Sequence, residues 1–214
     1  MNHSQALDPE FDRVYDLRPQ PELTQENREI SVLFAQLQTL PLGTPAFRQA
    51  MANVYQHLQT ASRALALACG ISSEFRYLPD VWGLPELNIF HGRFLVPMSY
   101  HLNTALGAAE ILAAGRGRTP YFPLMVGCML ATVRLWQRLP EAIDNLRRAA
   151  GPRHTATVNL TEQTSRTIAV ATQQGLMVAR SSVSTAQWNV SVRASELAHS
   201  VREKVSQMMA GESY

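Results

Sequence analysis

Lysine is almost missing from this chain. Of its 19 basic side chains only Lys204 is a lysine, and the remainder are arginines. Arginine suits bidentate contacts to phosphate and carboxylate, although a GC-rich genome produces the same bias. Cysteine is scarce as well: Cys69 and Cys128 are the whole complement, which points to reduced thiols inside helices rather than a disulfide framework. No run of 18 apolar residues occurs, because Arg134 and Arg138 interrupt the most apolar stretch, PYFPLMVGCMLATVRLWQRL. A membrane span is therefore not expected. The first residues, MNHSQALDPEFDRVYD, are polar and acidic, where a secretory signal is basic and then apolar. An intracellular setting is the expectation.

Catalytic signatures are missing too. The chain contains no GxSxG, no Walker loop, no HExxH and no CxxC, so nothing marks a nucleophile with its base or a phosphate cradle. The six histidines are scattered. His91, His101 and Cys128 would have to meet in space to hold zinc, and their spacing matches no metal motif. Glu141 and Asp144 stand one helical turn apart beside Arg138, Arg147 and Arg148, a pattern that surface ion pairs explain. No enzyme activity and no cofactor are expected.

What is present is helical periodicity and a polarity of charge. Residues 1–30 hold seven acids against three arginines, a net of −4, whereas residues 111–153 hold seven arginines against two acids, a net of +5. Such a separation can join copies head to tail or draw a polyanion to one end. Residues 1–22 form an acidic arm. A helix is predicted from Thr24 to Leu40 with Ile30, Leu33, Phe34 and Leu37 on one face. A second starts at Thr44-Pro45 with Phe47, Met51, Val54, Tyr55, Leu58 and Leu65 inward and stops at Gly70, making an antiparallel hairpin with the first. Residues 71–94 read as an ordered aromatic crossover with short strands at its ends. Further helices are predicted from Pro97 to Ala114 and from Thr119-Pro120 to Leu139, with a last piece ending at Gly151-Pro152.

Beyond Thr155 the composition turns to Thr, Ser, Ala and Gln. Leu176, Val183, Val190 and Leu197 recur every seven residues, the spacing of a helix-to-helix seam, and no proline follows Pro152. The expected fold is all-α: a four-to-five-helix bundle with an irregular aromatic crossover and one long C-terminal helix. The expected organisation is an acidic arm over 1–22, a helical bundle domain over 23–152 that is complete by itself, and a C-terminal helical extension over 153–214. The seam is the candidate for self-association in a homo-oligomer, and a long helix folded back on its own domain as ordinary core packing is the alternative.

The stretch AAGRGRTPYFP (Ala113 to Pro123) joins a helix stop to a helix start and adds two arginines that neither needs. An anion there would meet Arg116, Arg118 and backbone donors together. With FRYLPD (Phe75 to Asp80), RF (Arg93-Phe94), TALGAAEILAAGRGR (Thr104 to Arg118) and the Arg-bearing helix Ala131 to Arg148, the chain resembles the coat proteins of rod-shaped plant viruses of the tobamovirus type over roughly residues 28–150. That resemblance implies a bundle whose inner-loop arginines, here Arg116 and Arg118 with Arg134 on the next helix, clasp single-stranded RNA. Arg138 completes the candidate nucleic-acid-binding set. The chain is also similar to matrix proteins of segmented negative-strand viruses, which join a compact bundle to a Ser/Ala-rich helical part. Both resemblances imply a non-enzymatic, self-assembling structural subunit, in a host cytoplasm or a virion. A helical adaptor that holds a partner through its C-terminal helix, without nucleic acid, is the alternative.

Overall fold

The computed structural model describes residues 24–76 and 89–211, and every regular element among them is helical. Helix α1 (Thr24–Gln36) runs into a 3-10 turn (Leu37–Thr39). Then come α2 (Pro45–Arg76), a π turn (His91–Leu95) that feeds α3 (Val96–Ala113), α4 (Tyr121–Gln137), α5 (Leu139–Ala150), a 3-10 turn (Pro152–His154), α6 (Thr155–Ser181) and α7 (Thr185–Gly211). The all-α helical bundle expected from periodicity is the observed fold class. The described residues divide into two compact units, one within 41–184 and one made of 24–40 with 185–211.

The larger unit is a four-helix bundle. α2 packs on α3 and α6, and α4 packs on the same two, so the four helices close a ring in the order α2, α3, α4, α6. The apolar stripes face its axis, with Phe47, Met51, Val54, Leu58, Leu102, Leu112, Phe122, Met125 and Met129 all buried. Thr44 opens α2 as its composition predicts, because its hydroxyl accepts the Phe47 amide at 3.2 Å. Gly151 closes α5 at φ 69° and ψ −177°, a backbone conformation open essentially to glycine alone, and its amide bonds the Arg147 carbonyl.

The fourth wall is α6, which belongs to the stretch expected to be an extension. Its inner face carries Thr161, Thr164, Ser165 and Thr172 alongside Val158, Ile168, Ala169 and Ala179, all buried. Each of the four hydroxyls donates to a carbonyl three or four residues back, at 2.7 to 3.0 Å. A polar sequence thus forms a core face with its side-chain donors satisfied inside its own helix. The small side chains also let α2 and α6 lie close. A Cβ on Gly175 would meet Val54 and His57 of α2 and Met129 of α4 at ordinary contact distances of 3.5 to 3.8 Å.

Four expectations are corrected. First, α1 pairs with α7, not with α2: Ile30 is buried against Leu197 and Val201, flanked by Leu33, Phe34 and Val205. Second, α2 continues through Gly70 to Arg76, since a lone glycine in a helical conformation costs only about 1 kcal/mol against alanine. Third, the long C-terminal helix is two helices. The Ser182 hydroxyl donates to the Ala179 carbonyl at 2.7 Å, which a continuing helix would give to the Val183 amide, and that amide turns to the Arg180 carbonyl at 3.4 Å instead. Fourth, the strands expected at the ends of the crossover are absent among the described residues: 71–76 and 89–95 are helical. The middle of the crossover, like the arm over 1–22, lies outside the described residues.

Candidate nucleic-acid interface

The GRGR loop is shaped by its glycines, and each is needed for a different reason. Gly115 adopts φ 70°, a conformation that a side chain disfavours. Gly117 has no such angle, but a Cβ there would lie 2.5 Å from Leu112 Cδ2 and 3.2 Å from Leu112 Cα. Leu112 is itself buried, so the loop is pressed onto the end of α3 and its two arginines are turned outward. Arg116 and Arg118 are both exposed.

A third arginine joins them. The Arg48 side chain of α2 lies across Gly115, its Cδ 3.0 Å and its Nη1 3.5 Å from where a Cβ would stand. None of the three arginines makes an ion pair among the described residues. The amides of Gly117, Arg118 and Thr119 likewise donate to no described group. The first amides of α4 are already used: Tyr121 donates to the Arg118 carbonyl, Phe122 to that of Thr119 and Leu124 to that of Pro120. The expected hydroxyl cap from Thr119 does not form. The free donors therefore sit one step before the helix, inside the loop. Below them Phe122 is buried against Phe47, ring centroids 5.8 Å apart, which anchors the loop end to the core.

Arg134 and Arg138 are elsewhere. They stand in the last turn of α4 and just beyond it, which at 1.5 Å per residue puts them roughly 25 to 30 Å along the helix from Arg118. The four candidate arginines thus form two groups at opposite ends of α4. Farther along, in α5 and α6, charges are paired: Arg147 binds Asp144 at 2.9 Å and Glu162 at 2.8 Å, and Glu162 also binds Arg166 at 2.7 Å. The Arg147–Glu162 pair ties α5 to α6; Asp144 has the surface ion pair expected of it, whereas Glu141 makes none among the described residues.

The heptad seam does not survive as one face. Leu176 is half-buried in α6, Val183 sits in the break, Val190 is half-buried in α7, and Leu197 is buried against α1 of the same chain. The sequence carries a signal for the break, since Ser184 and Gln187 have the spacing of a capping box. Arg48 has no such signal, because only the packing of α2 beside the loop brings it there. Among the described residues no three His, Cys, Asp or Glu side chains gather as a metal site, and His91, His101 and Cys128 do not converge. No helix among them is long and apolar enough to cross a membrane. Compared with family models, with curated proteins and with solved structures, the chain matches none.

Proposed function

We propose that this chain is a non-enzymatic, self-associating structural protein of the coat or nucleocapsid type, which grips single-stranded RNA at the GRGR end of its bundle. The observation that carries this reading is the placement of Arg48 against the loop that bears the exposed Arg116 and Arg118, none of the three ion-paired among the described residues, in a loop with three amides that lack acceptors. Guanidinium groups and backbone N–H donors together suit phosphate oxygens, and a strand running past the loop would meet both. Self-association draws support from the outer side of α6, where Val170 and Met177, seven residues apart, are 52% and 64% exposed. The same pair favours the second reading, an adaptor that docks a partner helix there without RNA.

The test replaces Arg48, Arg116 and Arg118 together by glutamine and measures binding of a single-stranded RNA at several salt concentrations. Each lost phosphate contact should flatten the salt slope by about 0.7, so the triple variant should lose up to about 2 in slope with its melting temperature nearly unchanged. An unchanged slope and affinity would favour the adaptor.

A further inference from the structure

A cleft of about 150 Å³ lies at the other end of the bundle, between the π turn and the junction of α4 with α5. A cavity of that size takes up one benzene ring. Its floor is apolar: Phe90 and Phe94 lie nearly parallel with centroids 6.0 Å apart, and Leu135 closes one side. Its rim is charged, with Arg93, Arg138 and Glu141 around the opening. None of these three makes an ion pair among the described residues.

We propose that this cleft binds an aromatic ring that carries, or is flanked by, a carboxylate. The ring would pack between Ile89 and Leu135 over the buried Phe90–Phe94 floor, and the carboxylate would take charge-assisted hydrogen bonds from Arg93 and Arg138. Two arginines against one glutamate leave a single net positive charge, which matches a monocarboxylate and disfavours a phosphate dianion beside Glu141. Asn145 also lines the cleft. Its Oδ1 accepts from Arg148, so its amide hydrogens remain as a further donor. A π turn is itself found frequently at functional sites. This site is separate from the loop arginines, and its ligand chemistry is not that of RNA. One source is a free aryl acid. The other is the segment Glu10-Phe11-Asp12 of a second copy, a ring between two acids.

The full chain is titrated with phenylacetate, with benzyl alcohol as the neutral control, and with a synthetic peptide spanning residues 8–17, binding being followed by ligand-detected NMR. Phenylacetate should bind with a dissociation constant on the order of millimolar, and benzyl alcohol at least about tenfold more weakly. The variant Arg93→Gln/Arg138→Gln should lose about tenfold or more in phenylacetate affinity. Ala142→Leu, which keeps both charges but fills the cleft from a lining position, should abolish binding. A peptide that binds more tightly than phenylacetate and is displaced by it identifies the chain's own segment as the source, and phenylacetate binding without the peptide identifies a free acid. Binding of neither probe overturns the proposal, as does equal binding of benzyl alcohol or unchanged binding in either variant.

Discussion

The two units meet charge in opposite ways. In the α1–α7 pair both acids of α1 are answered within the chain: Arg193 binds Glu29 at 3.2 Å, and Lys204 donates to Glu26. In the bundle the GRGR end keeps three arginines without ion-pair partners among the described residues. The net charge of residues 1–30 therefore overstates what that region offers to another molecule, because two of its seven acids are engaged in cis. The units also differ in how they are held. The pair rests on a small cluster around Ile30, Leu197 and Val201, whereas the bundle buries three phenylalanines and a set of leucines and methionines completely.

That contrast is broken most severely by truncation. A chain ending at Gly151 loses α6, the wall against which α2 and α4 pack, and should lose cooperative unfolding altogether in a thermal melt followed by circular dichroism. A chain ending at Ser184 loses only the partner of α1 and should retain the bundle's transition. The GRGR loop is the next test. Gly117→Ala should destabilise the bundle by about 1–3 kcal/mol, the usual cost of forcing atoms into a packed site, read as a shift of the urea midpoint. A cost below about 0.5 kcal/mol would mean that Leu112 can withdraw, and that the loop is not pressed onto α3 as described.

Much of the bundle is legible in the sequence because local rules decide it. Thr44-Pro45, Gly115 and Gly151 mark helix ends through caps and turns that need no distant partner, and the stripes of α2, α3 and α4 follow from spacing alone. Pairing is not local. Ile30 meets Leu197 across more than 160 positions, and periodicity says which face of α1 is apolar without saying what covers it. α6 is hidden for another reason: Thr161, Thr164, Ser165 and Thr172 look like surface residues until their hydroxyls are seen to bond their own backbone. At the candidate site Arg116 and Arg118 are readable from the excess of arginine over what a helix stop needs, while Arg48 is not.

The small-residue face of α6 makes a sharper prediction. Gly175 is helical, buried and surrounded at ordinary contact distances, so a methyl group fits. Gly175→Ala should stabilise the bundle by about 0.5–1 kcal/mol, chiefly by restricting the unfolded chain. Gly175→Leu should destabilise it by about 1–3 kcal/mol through overpacking. Equal effects of the two substitutions would show that α2 and α6 separate readily.

The smallest effect belongs to the α1–α7 pair, and it depends on pH. The hydrogen bond from Lys204 holds the Glu26 carboxyl below its ordinary value of 4.5, helped by a backbone hydrogen bond and by the Lys204 charge and opposed by desolvation. A carboxylate whose folded pKa is depressed contributes stability that is present above 4.5 and is lost as pH falls from there through the folded value. Glu26→Gln should therefore lower stability slightly at neutral pH, and by less at about pH 3 than at neutral pH. Because the pair is exposed, added salt should shrink the neutral-pH difference further. Urea midpoints of parent and variant at both pH values, with and without salt, read this directly. A difference that persists undiminished at the lower pH would mean that Glu26 acts through packing of its methylene groups rather than through the charge that Lys204 answers.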